Sequence, residues 1–350
     1  MLPFFTQISF GKQLNYLQES LGILAPYPLH SRIHLLRTFG DSQTRCYVKR
    51  EDELGFGVSG SKIRKYSSLI PYLQTNAVEE AVLIGGAYSN NIVGLAQLLI
   101  ENSIKPTLFL KGDIDTQKTG NLLLTSMLVP KDSIHWVSRE EWQNVNEKAK
   151  DYAKKSQKIC IIPEGASMLE ALPGALTLAL DIIKNEQQTG LTFDHLFIDS
   201  GTGMMACATL LAFTWLRKKT LIHVVLMAEE ERDFLETLST FKTRFSALLA
   251  VCPTESDIKA NLKFYHPKQA RSFGSTNKSI FKEINLIAQT EGFLTDPVYS
   301  AKLFLTTRNI IANDKIKGNC LIIHSGGGLT LMGFQEQLIA SNLHQSRIRT

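Results

Sequence analysis

The stretch FDHLFIDSGTGMMACATLLAFTWLRKK, residues 193–219, decides how this chain folds. The short apolar run that ends at Asp199 reads as a strand. Ser200-Gly201-Thr202-Gly203 turns the chain, and a long apolar segment of helical length begins at Met204. Strand, glycine turn and helix in that order are the repeating unit of a parallel α/β sheet. The turn also has a chemical use. Glycines let backbone amides approach an anion closely, and the helix N-terminus adds unpaired donors and the positive end of its dipole. The plain alternative is a tight turn that holds no ligand.

The same alternation extends outward in both directions. EEAVLIGG (79–86), KPTLFLKG (105–112), KICIIPEGAS (158–167), LIHVVLMA (221–228) and GNCLIIHSGGG (318–328) read as further strands. NNIVGLAQLLIENS (90–103) and LTLMGFQEQLIAS (329–341) read as helices. Glycine turns therefore follow three strands, at Gly85-Gly86, Gly201–Gly203 and Gly326–Gly328. Ligands of open parallel sheets bind beyond the carboxyl ends of the strands, where such turns lie, so a shared crevice is expected. No repeat, low-complexity tract or Pro/Gly-rich linker marks a domain boundary.

Two further segments carry polar groups at a predicted helix start. In GGAYSNN (85–91), Ser89, Asn90 and Asn91 serve either as a helix cap or as donors to a carboxylate. In EDELGFGVSGSKIRKYSSL (51–69), a glycine-rich loop hands over to Ser61-Lys62-Ile63-Arg64-Lys65, which taken alone reads as a solvated basic face. A rival reading of the central stretch is a dinucleotide fingerprint. Gly201-x-Gly203-x-x-Ala206 is followed by Glu229, Glu230 and Glu231, where a ribose-binding acid would stand, which keeps a nicotinamide-dependent oxidoreductase open. No lysine follows the glycines in P-loop spacing, and G-x-S-x-G is absent.

Composition narrows the classes. The 350 residues are 44% hydrophobic and 20% charged, enough to bury a core in two ordinary domains. The net charge of +5 is mild and dispersed, without the basic stripe or reader motif of a nucleic-acid-binding protein. Cys46, Cys160, Cys207, Cys252 and Cys320 show no zinc or C-x-x-C spacing, the eight histidines form no ligand pattern, and no metal is expected. MLPFFTQISFGKQLNYL reads as neither a signal peptide nor a membrane span, so the cytoplasm is expected.

Taken together these segments resemble one family. VKREDELGFGVSGSKIRKYSSLIPYL is similar to the lysine segment of the pyridoxal-phosphate-dependent 1-aminocyclopropane-1-carboxylate deaminases and D-cysteine desulfhydrases. IGGAYSNN, SGTGMMACA, EGFLTDPVYSAKLF and IHSGGG resemble their other motifs and follow in the family's order, from about residue 45 to residue 335. The resemblance implies the tryptophan-synthase-β-like architecture, also called pyridoxal-phosphate fold type II: two open, twisted α/β domains. The large one is expected at 1–65 and 181–350 and the small one at 66–180. It also implies a homodimer and a small amino-acid substrate.

Roles follow residue by residue from that resemblance. Lys62 is the lysine that bonds the cofactor aldehyde, with Lys65 near its phosphate and Arg64 structural. Backbone groups of Gly201, Thr202, Gly203, Met204 and Met205 would hold the phosphate. Asn90 would bond the ring hydroxyl, and Ser325 would face the pyridine nitrogen. Ser89 and Tyr299 would act on the substrate, with Asn90, Asn91 and Phe273 lining its pocket. The chain departs from the family where Met204 and Met205 replace hydroxyl residues, where Ala301 replaces a glycine, and where Phe273 stands for a second tyrosine of the deaminases. Ser300 occupies the position of their glutamate. A hydroxyl at the ring nitrogen makes a weak electron sink, adequate for expelling a thiolate. The expected reaction is β-elimination from D-cysteine. Ring opening of aminocyclopropane carboxylate is the alternative, and a non-catalytic cofactor-binding protein is a third class.

Overall fold

The computed structural model describes residues 9–346, so the segment on which the signal-peptide reading rests lies partly outside the described residues. Ten strands build two sheets. They are β1 (Ile33–Gly40), β2 (Thr44–Lys49), β3 (Glu80–Gly86), β4 (Lys105–Lys111), β5 (Ile134–Val137), β6 (Ile159–Ile162), β7 (His195–Ser200), β8 (Leu221–Leu226), β9 (Leu262–Tyr265) and β10 (Gly318–Ile323). The larger sheet has the order β1-β2-β10-β7-β8-β9 and the smaller the order β5-β4-β3-β6. Every pairing is parallel except β1 with β2.

The strands read from sequence are those covered on both faces. Ala81 to Gly85 of β3 are all buried, as are Ile222 to Leu226 of β8, and a parallel strand so covered reads as a continuous apolar run. The β1–β2 hairpin went unread because most of β1 faces solvent or the partly buried margin. The four-residue strands β5 and β9 are too short to show a period. The third glycine turn also differs from expectation. After Gly326 and Gly327 (φ +104° and +86°) the chain makes a 3₁₀ turn, Gly328–Gly333, before the helix Gln335–Ser346 begins. Gly333 packs there against Gly120.

Helix Lys62–Thr75 and helix Leu172–Thr189 cross at Gly174, where a Cβ would stand 2.1 Å from the Arg64 carbonyl oxygen. The expected domain limits at 65/66 and 180/181 fall inside these two helices. A buried ion network fastens the crossing. The Arg64 guanidinium bonds both Glu51 oxygens and lies 2.8 Å from Asp181, and Lys49 Nζ is 2.6 Å from Asp181. Burial would raise the Asp181 carboxyl, but Lys49 and Arg64 reverse that and hold it at about 2. Cys46, Cys207 and Cys320 are buried free thiols, and Cys160 and Cys252 are partly buried. Among the described residues no helix is long and apolar enough to cross a membrane, and no cluster of three potential metal ligands occurs.

Because Gly174 meets backbone rather than a movable side chain, Gly174→Ala is expected to cost about 1–3 kcal/mol. The measurement is the urea unfolding midpoint. A midpoint equal to that of the parent would mean that the helices do not touch at this residue.

Candidate active site

The carboxyl ends of β7 and β10 meet the turn that starts helix Lys62–Thr75, and the loops after β3 and β6 close the other side. Ser61 donates its amide to the Ser325 carbonyl at 2.9 Å, directly before Lys62. Gly60 (φ +54°) makes this possible, since a Cβ there would lie 2.3 Å from the same carbonyl oxygen. Lys62 is half-buried, with Nζ 5.8 Å from the Tyr299 ring centre. Burial lowers its amine pKa, and the carboxyls of Asp199 and Asp296 oppose that. Lys65 is buried and bonds the Gly165 carbonyl, and burial, with Lys62 beside it, brings its amine down to about 7. Neither lysine forms an ion pair among the described residues.

The turn Gly201–Gly203 lies next to these amines. A Cβ on Gly165 would strike the Thr202 hydroxyl at 2.6 Å, so Thr202 and the carbonyl that holds Lys65 are adjacent. Gly203 (φ +78°) is the N-cap of helix Met204–Trp215, and the amides of its first turn have no intrahelical acceptors. Met204 is buried and Met205 packs against the core, so both face the turn through backbone only. Two amines without an ion-pair partner, the open Met205 and Ala206 amides and a helix N-terminus form an anion cradle, while the Met204 amide donates to the Thr202 carbonyl at 3.0 Å. Glu229, the first of the three acids of the dinucleotide reading, accepts a hydrogen bond from Ser200 Oγ. Glu230 belongs to the capping box of helix Glu231–Leu249.

On the other side, Ser89 caps helix Asn90–Glu101 by accepting the Asn91 amide at 3.1 Å. The Asn90 side-chain oxygen accepts from Asn121 (2.8 Å) and Thr330 (3.0 Å), which leaves its amino group as the free donor. The Asn91 oxygen accepts from the Tyr66 hydroxyl at 2.9 Å. With its amide also capped, Asn91 has both of these groups engaged inside the protein.

Asp296 organises the D-P-V-Y segment. Its carboxylate accepts the amides of Val298 and Tyr299 at 2.8 Å and of Ser300 at 2.9 Å, and the Ser300 hydroxyl at 2.7 Å. Tyr299 is thereby held with its ring against Gly201, and Phe273 packs edge-on to it, ring centres 5.8 Å apart. Burial, then Asp296, Asp199 and Glu164, keep the Tyr299 phenol protonated. Ser325 is buried at the end of β10, and Asp199 lies on neighbouring β7. Asp199 and Asp296 were not read as site residues, although an acid ending an apolar central strand is itself a signal. Asn121 and Thr330 gave no such signal, because only the fold brings them to Asn90.

Comparison with known proteins agrees with this geometry. The chain belongs to the pyridoxal-phosphate-dependent enzyme family, whose model matches residues 24–326. It is 28% identical to a Schizosaccharomyces pombe protein named "Probable 1-aminocyclopropane-1-carboxylate deaminase", over 88% of this chain and 94% of that one. It is 23% identical to the D-cysteine desulfhydrase of Serratia proteamaculans, over 83% and 89%. A crystal structure described as an ACC deaminase homologue shares the fold, with a TM-score of 0.81 at 19% identity, covering 94% of this chain and 99% of that one. The fold is thus that of type II pyridoxal-phosphate enzymes. The unpaired lysines and the anion cradle fit a phosphate-bearing aldehyde.

The Lys65 amine makes a titration test. Its pKa is lowered from 10.5 to about 7 in the fold, so between those values the unfolded chain holds a proton that the folded one lacks. Stability of the cofactor-free protein therefore rises with pH across that window through this group, by up to ~1.4 kcal/mol per pH unit. Lys65→Met is expected to flatten the rise, read from urea midpoints at about pH 7 and about pH 10. An equal rise in the variant would place the amine in water.

Proposed function

We propose that this enzyme is a deaminating lyase for a small α-amino acid, with D-cysteine as substrate: D-cysteine and water give pyruvate, ammonia and hydrogen sulfide. The observation that carries this reading is the ring beside Tyr299. It is Phe273, with no hydroxyl, and position 300 carries a serine held by Asp296 where the ring-opening deaminases carry a glutamate.

In this reading Lys62 bonds the cofactor, and Gly201, Thr202, Gly203, Met204 and Met205 hold its phosphate beside Lys65. The Asn90 amino group would donate to the ring oxygen, and Ser325 would lie at the ring nitrogen. Bound pyridoxal phosphate supplies the electron sink that acidifies the substrate Cα–H. The Lys62 amine, made less basic by burial, takes that proton. Ser89 has its oxygen already bonded to the Asn91 amide, so its own proton is free for the substrate carboxylate. Tyr299 stays a phenol and donates a hydrogen bond to the departing sulfur. Phe273 closes the pocket with an apolar edge. A large domain of 1–65 and 181–350, a small one of 66–180 and a homodimer belong to the same proposal and are supported by the family resemblance, and a cytoplasmic location is proposed with them.

Ring opening of 1-aminocyclopropane-1-carboxylate is the second reading. Several relatives carry that name.

Borohydride reduction of the yellow protein followed by peptide mapping is expected to place the label on Lys62. A label on Lys65 would reverse the two roles. Turnover is then compared for D-cysteine, L-cysteine, D-serine, β-chloro-D-alanine and the cyclopropane acid. Preferred release of sulfide from D-cysteine is expected. Preference for the cyclopropane acid would make the second reading the function, and no turnover of any of them would mean a cofactor-binding protein.

A further inference from the structure

We propose that Asn121 and Thr330 are positioning residues: they turn the Asn90 amide so that its amino group meets the cofactor's ring oxygen and keeps that oxygen ionised. The inference rests on the reading that Asn90 bonds the ring oxygen.

A side-chain amide can offer either its donor or its acceptor, so a neighbour that can act in only one way must set it. The Tyr88 carbonyl is such a neighbour. It can only accept, and it takes a hydrogen bond from Asn121 Nδ2 at 3.1 Å. Asn121 therefore presents its amino group on that side, and the same nitrogen donates to Asn90 Oδ1 at 2.8 Å. The Thr330 hydroxyl donates to that oxygen as well, at 3.0 Å. Asn121 Nδ2 also reaches Thr330 Oγ1 at 3.3 Å, which leaves the single hydroxyl proton for Asn90. With both acceptor positions of Asn90 Oδ1 filled, only its amino group remains to meet a ligand. That nitrogen lies beside Gly327, where a Cβ would stand 3.3 Å from it. It is thus turned toward the segment that carries Ser325.

All three side chains are buried. Asn121 Oδ1 is shut off from solvent and has no hydrogen-bond partner among the described residues. A buried amide oxygen left open is costly, and here it follows from spending every N–H of Asn121 on the direction of its neighbours. The residues come from three segments. Asn90 opens the helix after β3 and Asn121 lies in helix Gly120–Leu128 after β4, both on the smaller sheet. Thr330 lies in the 3₁₀ turn after β10 of the larger sheet. The Asn90 amide is therefore set only where elements of the two sheets meet.

An N–H donated to an oxygen favours its ionised form. With Asn90 so turned, the ring oxygen stays anionic and its proton sits on the adjacent nitrogen contributed by Lys62. With the amide released, that proton returns to the ring oxygen. It moves between two neighbouring atoms, so none is taken from or given to solvent.

The test compares holoenzymes at one pH by the ratio of two absorption bands, the yellow band of the ionised-oxygen form and the near-ultraviolet band of the neutral-oxygen form. The parent is expected to be chiefly yellow. Asn121→Leu combined with Thr330→Val is expected to lower the ratio by about tenfold, and Thr330→Val alone by less. Thr330→Ser, which keeps the hydroxyl, is expected to hold the parent ratio. A parent that is chiefly in the near-ultraviolet form overturns the proposal without any variant. Urea midpoints of the cofactor-free proteins are read alongside, and a lowered midpoint with an unchanged ratio overturns it in favour of a structural role. If the double variant does not fold, equal ratios for Thr330→Val and Thr330→Ser overturn it. Asn90→Ala separates the two layers. If it lowers the ratio while the double variant does not, only the positioning role fails. If it leaves the ratio untouched, the placement of Asn90 at the ring oxygen fails as well.

Discussion

Three cations enter one helix within four residues, and all three are drawn away from water. Lys62, Arg64 and Lys65 open the helix that runs between the two sheets. Arg64 and Lys65 are fully buried, while Lys62 keeps a partial opening to the cleft. Arg64 is neutralised by Glu51 and Asp181. The two lysines are not paired in this way, and leaving such groups without counter-charge in the interior is costly. Their answer is a lowered amine pKa and a helix N-terminus alongside, so the site is built around an anion that the protein does not itself supply.

That helix is held from three directions. Gly60 lets the turn before Lys62 lie against the Ser325 carbonyl, Arg64 is clamped from two chain segments, and Gly174 admits a second helix to backbone contact with Arg64. Because these contacts join the end of β10, the loop after β2 and helix Leu172–Thr189, the position of Lys62 depends on both halves of the molecule. The Lys62 amine is therefore placed by packing of rigid elements rather than by a flexible loop.

Hydrogen-bond direction then assigns the polar groups around it. The oxygen of Asn90 is taken by two donors, which leaves its amino group open, and Ser89 Oγ accepts one bond and keeps its proton free. Asp296 uses its carboxylate on four donors, which fixes the Tyr299 backbone and holds the Ser300 hydroxyl. Each bond already made narrows what the side chain can offer a ligand, a property of networks in which most partners are satisfied.

The amino-acid sequence alone determined the alternation of strand and helix, the parallel sheets and the family, because doubly covered strands and glycine turns are local signals. It also singled out Lys62, Ser89, Tyr299 and the turn Gly201–Gly203 as candidates, since these lie in short motifs. The hairpin β1–β2 and the strands β5 and β9 were not legible, because exposure or brevity erases the period. The tertiary structure alone decided the rest. It turned Asn91 toward Tyr66, gave Glu229 to Ser200, and brought Asn121 and Thr330, far apart in the chain, to Asn90. Which of two neighbouring polar residues faces a ligand depends on a rotation about one bond, and only contacts from distant segments select that rotation.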